Sequence, residues 1–190
     1  LYSSAASDVY KRQTLEMLAM QVYNFGVYQP FSLTGLQNDT GIAYGDKSGS
    51  IYILDTNSLN ITRELQNAHK STVWSLAILQ NGNLVSGSAD KLIKIWNKTT
   101  FSSIADLVGH DSYVFSVVTM NSNILLSASA DNSIKIWNTD SWELIETCKG
   151  HLFSVTNLIV IGEQDDKAYF ASASEDKTIR IWKKNDFQNI

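Results

Sequence analysis

Cysteine, proline and histidine are scarce in this sequence, with one, one and three residues among 190. Cys148 alone can form no internal disulfide, which favours a reducing compartment. No apolar run approaches the roughly 20 residues that a membrane span needs, because the run at 158–161 is far shorter. The net charge of −4 argues against general nucleic-acid binding, because the phosphate backbone needs a concentrated basic face. With 44% hydrophobic and 18% charged residues, the chain is predicted to be globular rather than disordered or fibrous.

The three histidines reveal an internal repeat. His69, His110 and His151 are spaced 41 and 41 residues apart. Aspartates and tryptophans recur with the same spacing of 41 residues and then with a spacing of 45, at positions Asp90, Asp131, Asp176, Trp96, Trp137 and Trp182. A period of about 40–45 residues is typical of β-propellers.

Each repeat reads as four short strands. In the best copy, β-branched and aromatic residues are frequent in 73–79, and small residues are frequent in 83–88. A third segment, 92–97, contains Ile-Lys-Ile-Trp and alternates as a strand should. A fourth strand is expected over 102–107. The motif Ser-x-Ser-x-Asp precedes the third strand in all three copies. Four strands per 41 residues describe one propeller blade, so the predicted fold class is all-β.

Together, the Gly-His, Ser-x-Ser-x-Asp and Ile-Lys-Ile-Trp motifs resemble those of the WD-repeat β-propeller family. The resemblance covers three repeats, at 61–97, 102–138 and 143–183. Two features depart from the pattern: Asn97, Asn138 and Lys183 follow the tryptophans where that family has Asp, and Ala68 replaces the Gly before His69. A degenerate fourth blade is expected over 28–60, with Ser48 at the turn Asp position and Tyr28 or Gln29 near the His position.

The resemblance implies a structural hydrogen-bond network in each blade, in which the His bonds a Ser and the turn Asp and the Trp indole N–H completes the chain. Which serine of each Ser-x-Ser pair takes part is left open by the sequence. Ser, His and Asp are also the ingredients of a nucleophilic triad, but three copies in register favour structure over catalysis. The expected members are His69, Ser86, Asp90, Trp96, His110, Ser127, Asp131, Trp137, His151, Ser172, Asp176 and Trp182.

Other catalytic and binding chemistry is not indicated. The sequence has no phosphate-binding glycine loop and no Gly-x-Ser-x-Gly elbow. One Cys and three His placed one per repeat do not suit zinc. We therefore expect no cofactor, no metal and no enzymatic activity.

Function is then expected to depend on a surface. In WD-repeat proteins, partners dock on the top face, which is built from the segments before the first strands and the turns after the second strands. Carried over position by position, that surface would include Thr72, Trp74, Tyr113, Phe115, Ser154, Thr156 and Glu175. Large aromatic residues dominate interface hot spots. The alternative is that these aromatics pack between blades.

The remaining segments fit the repeats less well. Residues 1–13 resemble translated cloning-adapter sequence, and 14–27 fit either a short amphipathic helix or the outer strand of a preceding blade. The acidic insertion 162–167 is expected to be a bottom-face loop, and 184–190 a truncated tail. Since this family typically has about seven blades, about four blades predict a fragment of a larger propeller, whose open flanks would let it self-associate.

The predicted function is a non-catalytic scaffold that recruits other proteins or peptides through its top face. One alternative is the substrate-recognition propeller of a larger enzyme complex, such as a ubiquitin ligase or signalling assembly, with the catalytic domain missing. A serine-type hydrolase is a remote alternative. No membrane partner is expected, nucleic acid is disfavoured, and the expected location is cytoplasmic, with the nucleus left open.

Overall fold

A computed structural model describes residues 30–36, 41–58, 60–121, 123–161 and 168–183. All regular elements within these ranges are strands, which confirms the all-β expectation. The expectations for 1–13, 14–27, 162–167 and 184–190, and for Tyr28 and Gln29, concern residues outside the described ranges. The strands are β1 Pro30–Gly35, β2 Gly41–Asp46, β3 Ile51–Asp55, β4 Ile61–Leu65, β5 Val73–Ile78, β6 Leu84–Ser88, β7 Ile93–Trp96, β8 Ser103–Leu107, β9 Val114–Asn121, β10 Ile124–Ser129, β11 Ser133–Asn138, β12 Leu144–Lys149, β13 Val155–Ile161, β14 Tyr169–Ser174 and β15 Ile179–Lys183.

The strands form four antiparallel sheets, each following chain order. The first sheet is β1 to β4, the second β5 to β8, the third β9 to β12, and the fourth β13 to β15 within the described residues. The first strands of neighbouring sheets (β1, β5, β9 and β13) pack against one another and so line the inner side of the array. Among the described strands, the first and fourth sheets do not pack together as neighbouring sheets do, so the array is an open arc.

The sequence repeats and the sheets are out of phase by one strand. The repeat at 61–97 begins with β4, the outer strand of the first sheet, and continues into β5 to β7 of the second. The repeats at 102–138 and 143–183 likewise begin with β8 and β12. Each repeat therefore ties two adjacent sheets together covalently.

The core lies between the sheets, and the period-2 alternation of the strands builds it. In β7, Ile93 and Ile95 are fully buried and point toward the third sheet, where they pack with Val117 and Trp137. Trp96 belongs instead to the cluster shared with the first sheet. Because successive residues face opposite sides, the Ile-Lys-Ile-Trp motif serves two interfaces at once.

Small residues in the second strands allow the sheets to approach closely. A Cβ added to Gly87 would lie 2.8 Å from Cγ1 of Val114, and one added to Gly45 would lie 2.5 Å from Cγ1 of Val73. Both valines begin the inner strand of the next sheet. A larger side chain at either glycine would push two sheets apart.

The fourth sheet has an open apolar face. Ile179 and Ile181 are 74% and 44% exposed, whereas the equivalent residues Ile134 and Ile136 of the third sheet are fully buried. Ile159 and Ile161 of β13 are also exposed. We call these four residues the open isoleucine face.

Candidate functional site

Each of the last three sheets contains a buried chain of four polar side chains. In the second sheet, the Trp96 Nε1 lies 2.8 Å from the Ser86 Oγ, which lies 2.7 Å from the His69 Nε2. The His69 Nδ1 lies 2.9 Å from an oxygen of Asp90. The same contacts recur, at 2.7–2.9 Å, through Trp137, Ser127, His110 and Asp131, and through Trp182, Ser172, His151 and Asp176.

The directions of these hydrogen bonds are fixed by the donors present. The indole N–H can only donate, so the serine oxygen accepts it, and the carboxylate can only accept, so the His Nδ1 carries a proton and donates to it. In the neutral histidine the Nε2 then has no proton and accepts from the serine O–H. Each serine hydroxyl then donates one hydrogen bond and accepts one. The three serines, Ser86, Ser127 and Ser172, are completely buried. A substrate carbonyl cannot reach them as a nucleophilic triad would require.

The two serines of each motif have different partners, which resolves the choice that the sequence leaves open. The first serine joins the chain described above. The second, exemplified by Ser88, donates to the Ser71 carbonyl at 3.0 Å and accepts the Asp90 amide at 3.1 Å. It therefore ties the hairpin turn to the segment that precedes the first strand.

The turn carboxylates are stabilised in their charged form. Burial raises the pKa of Asp90, but hydrogen bonds from His69 and from the Lys70 and Leu92 amides outweigh it and lower the pKa to about 2. The pKa values of Asp131 and Asp176 are likewise held well below the usual range against the effect of burial. Hydrogen bonding to the charged form explains each shift.

The first sheet replaces this network with a different polar cluster. Tyr44 stands where the network serine would be and stacks on Tyr52, with ring centroids 4.8 Å apart. The buried Asp46 accepts the amides of Ser48 and Ser50, both at 2.9 Å, and the Ser48 hydroxyl. Burial, with help from Asp46, raises the pKa of Tyr44 to about 12. The degenerate blade has therefore lost the histidine network but keeps a closed turn.

In the second and third sheets, an Asn after the tryptophan closes the turn where the family has Asp, whereas Lys183 follows Trp182 in the fourth sheet. The Asn97 Oδ1 accepts the amides of Thr99 and Thr100, and Asn138 does the same for the two residues at the equivalent positions. Asp55 of the first sheet closes its turn with the same pattern. In the second and third sheets, the departure from the family dipeptide thus leaves the turn between the third and fourth strands intact.

A β-bulge interrupts every inner strand at its beginning. In β5, Val73 pairs with Ser88 and Ser75 with Gly87, so Trp74 is left without a partner in the register. The equivalent unpaired residues are Phe31, Phe115 and Thr156. A bulge re-aims a side chain, and bulges are frequent at functional rims. We call these four positions the bulge row.

The aromatic members of the bulge row contact one another across three sheets. Phe31 and Trp74 meet edge to face with ring centroids 4.9 Å apart, and Trp74 and Phe115 do so at 5.6 Å. Tyr113, which is 49% exposed, extends the line from Phe115 at 6.3 Å. The Trp74 N–H is buried and has no hydrogen-bond partner among the described residues, unlike those of Trp96, Trp137 and Trp182.

The structure places the other expected surface residues unevenly. Glu175 and Thr156 are exposed, and Ser154 is half-buried with its carbonyl bonded to the Glu175 amide. Thr72 is a correction: it is buried, and its hydroxyl donates to the Lys47 carbonyl at 3.2 Å. Thr72 therefore links the first two sheets and offers little surface to a partner.

Three surface residues escaped the sequence argument. Phe31 lies in the degenerate repeat, where the weak motif hides its equivalence to Trp74, although a spacing of 43 residues connects them. Leu152 and Phe153 are 74% and 59% exposed, at positions where the second sheet is preceded by Lys70 and Ser71. The sequence signal that could have identified Leu152 and Phe153 is their apolar character, because the equivalent residues of the other two repeats are polar.

Two further classes of site receive no support. Within the described ranges, no group of three or more His, Cys, Asp or Glu side chains is arranged to hold a metal ion. The described part of the chain also has no helix of the length and hydropathy that crossing a membrane requires.

Comparison with known proteins identifies the repeats. The family model described as WD domain, G-beta repeat matches residues 60–97, 101–138 and 142–183. The solved structure titled "Crystal structure of RRP9 WD40 repeats" superposes with a TM-score of 0.79 at 26% identity, covering 86% of this chain and 50% of that one. "Structure of U3-55K" gives the same TM-score and identity, covering 86% and 51%.

Curated relatives match over shorter stretches. Yeast (Saccharomyces cerevisiae) U3 small nucleolar RNA-associated protein 12 is 33% identical over 57 residues, 30% of this chain and 6% of that protein. The 26S proteasome regulatory subunit RPN14 of the same yeast is 37% identical over 67 residues, which are 35% of this chain and 16% of that protein. The chain thus spans about half of the solved chains and a small part of these curated relatives. On the three matched repeats, which cover more than half of its residues, the chain belongs to the WD-domain, G-beta repeat family.

Proposed function

We propose that the chain is a non-catalytic scaffold that binds partner proteins at the inner rim of its top end, through the bulge row and Tyr113. The observation that carries this proposal is the continuous line of aromatic rings from Phe31 to Tyr113. Its two ends are 38% and 49% exposed, so a partner can contact it.

The bulges favour a binding role over simple packing. A bulge costs a ladder hydrogen bond and is kept where it aims a side chain usefully. Aromatic side chains supply large contact area and dominate interface hot spots. Trp74 also differs from the three network tryptophans, because its N–H lacks the serine partner that a structural tryptophan of this fold has.

The relatives support a role within assemblies. Two of them are named for small nucleolar RNA association and for proteasome regulation, and both names describe members of larger complexes. The substrate-recognition role in a larger enzyme complex remains the alternative within this class. The buried network serines disfavour the hydrolase alternative. A cytoplasmic location remains a prediction, and the nucleolar name of one relative makes the nucleus a second candidate.

Site-specific photocrosslinking tests the proposal. A benzophenone amino acid replaces Tyr113 in one variant and Ile104 in the control variant, because Ile104 is also exposed but lies on the outer strand β8. We expect a defined protein to crosslink at position 113 and not at 104, and Trp74→Ala to abolish that crosslink while the melting temperature stays within a few degrees. Equal crosslinking at both positions would contradict a rim-specific role.

A further inference from the structure

Three exposed lysines gather at the top end of the first two sheets. Lys47 and Lys91 lie in the turns that follow β2 and β6, and Lys70 lies in the segment before β5. The Thr72 hydroxyl donates to the Lys47 carbonyl, and the Lys70 amide donates to Asp90, the residue before Lys91. These bonds hold the three backbone segments side by side.

The three ammonium groups are available for a partner. Among the described residues, none of them has a carboxylate within ion-pair distance; the Lys–carboxylate pair that does form involves Lys94 and Asp106. We call Lys47, Lys70 and Lys91 the basic end.

The basic end is local to the first two sheets. Lys70 directly follows the network histidine of the second sheet. The equivalent residues of the third and fourth sheets are Asp111 and Leu152. Glu175 of the fourth sheet stands at the turn position that Lys47 occupies in the first. Asp111 and Glu175 are exposed, and so is Lys177, which stands in the fourth sheet at the turn position of Lys91. The top end of the first two sheets therefore carries three lysines, whereas that of the third and fourth sheets carries both signs of charge and the exposed Leu152.

Aromatic rings border the basic end. Trp74 lies in β5, two residues after Thr72, and its ring meets that of Phe31, which is 38% exposed. A partner that reaches the lysines therefore also reaches an apolar contact. The surface is suited to a segment that carries both charges and a bulky apolar side chain.

The buried carboxylates beneath the lysines limit how strongly anionic that partner can be. Asp46 is fully buried, and the Asp90 side chain is 6% exposed and held in its charged form. Two negative charges under three positive ones leave a modest field, and the whole chain carries −4. Such a field suits a few carboxylates spread along a peptide better than the dense charge of a nucleic acid.

We propose that the basic end and the adjoining rings of Phe31 and Trp74 dock an acidic protein segment that carries a bulky apolar side chain. Its carboxylates face Lys47, Lys70 and Lys91, and its apolar side chain packs on the two rings. This inference rests on the proposed function, since it assigns a chemical class to the partner of the same rim.

A peptide titration tests the assignment. The probe is a fluorescein-labelled twelve-residue peptide of glutamates with two central phenylalanines, and its comparison probe has glutamine in place of every glutamate. Fluorescence anisotropy is measured with the whole chain, with Lys70→Gln/Lys91→Gln, and with Lys98→Gln as control. Lys98 is an exposed lysine after β7, at the end of that strand opposite to Lys91.

The glutamate peptide is expected to bind more tightly than the glutamine peptide. The double variant should weaken its binding about fivefold, because exposed charge pairs contribute modestly, and Lys98→Gln should leave it unchanged. Added salt should weaken binding to the wild type more than to the double variant. Equal binding of both peptides, or an equal loss in the Lys98 control, would overturn the inference.

Two additional readouts separate this inference from the proposed function. The first is an oligouridylate RNA. If it binds more tightly than the glutamate peptide and loses affinity in the double variant, the partner of the basic end is a nucleic acid and the acidic-peptide assignment is wrong. If the double variant keeps the Tyr113-position crosslink that Trp74→Ala abolishes, the proposed function stands and the acidic assignment fails. If neither substitution affects the crosslink, both fail.

Discussion

The buried polar chain of the third sheet gives the sharpest stability prediction. Ser127→Ala removes one oxygen that is 2.7 Å from the His110 Nε2 and 2.9 Å from the Trp137 Nε1. Ser127 is fully buried, and its sheet is covered on both faces by neighbouring sheets, so bulk water does not reach the site. A buried donor and a buried acceptor then both lose their partner.

The expected cost follows from those two groups. A buried polar group left unsatisfied costs about 1–3 kcal/mol. Because Ser127→Ala leaves two such groups, it should lower the free energy of unfolding by about 2–6 kcal/mol. Urea denaturation followed by tryptophan fluorescence measures this as a lower midpoint at an unchanged slope. The matched control is Ser141→Ala, the same chemical change at an exposed serine of the third sheet, which should stay within about 0.5 kcal/mol of the wild type.

A double-mutant cycle checks that the chain acts as a unit. Trp137→Phe removes the indole N–H and keeps an aromatic ring, so its effect should overlap with that of Ser127→Ala. We expect the combined loss to fall short of the sum by about 1 kcal/mol. If Ser127→Ala costs no more than Ser141→Ala, the hydrogen-bonded chain does not stabilise the sheet and the structural interpretation is refuted.

Three further predictions concern acid, packing and association. The pKa of Asp90 is lowered to about 2, so the contribution of its charged form to folding stability is complete above about pH 4 and is lost as the pH falls through about 2. An acid titration followed by circular dichroism should therefore show stability falling in that window rather than near pH 6. Gly87→Ala places a Cβ 2.8 Å from Val114 Cγ1 and should lower the free energy of unfolding, measured in urea, by about 1–3 kcal/mol. The control Gly35→Ala, whose added Cβ has nothing within 4 Å, should lower it by less than about 0.5 kcal/mol. Equal losses would contradict the close sheet packing. The open isoleucine face should make the 190-residue chain self-associate at micromolar concentration, and Ile179→Lys should reduce that association in sedimentation velocity; a stable wild-type monomer would count against it.

The repeated sheets could be predicted from sequence because their determinants are local. Period-2 alternation in Ile-Lys-Ile-Trp and the turn signals around Asp90 specify strands and hairpins without reference to distant residues. The resemblance of these motifs to WD repeats also implies that His69, Ser86 and Asp90 meet, and the structure places them in one hydrogen-bonded chain.

The rim was less predictable because its determinants are tertiary. The bulge at Trp74 depends on how β5 pairs with β6, and no single residue signals it. Thr72 looks like a surface threonine in sequence, yet its burial follows from a hydrogen bond to Lys47, 25 residues earlier in the neighbouring sheet. Phe31 was missed because its own repeat has lost the histidine motif that would set the register.

Hydrogen–deuterium exchange with the crosslinked partner bound tests the central claim most directly. The bulge-row account predicts slower exchange at the beginnings of the inner strands, in peptides covering 30–35, 72–76 and 113–117, and no change in the outer strands β4, β8 and β12. Protection confined to the outer strands, or to the turns at the opposite end of the sheets, would contradict it.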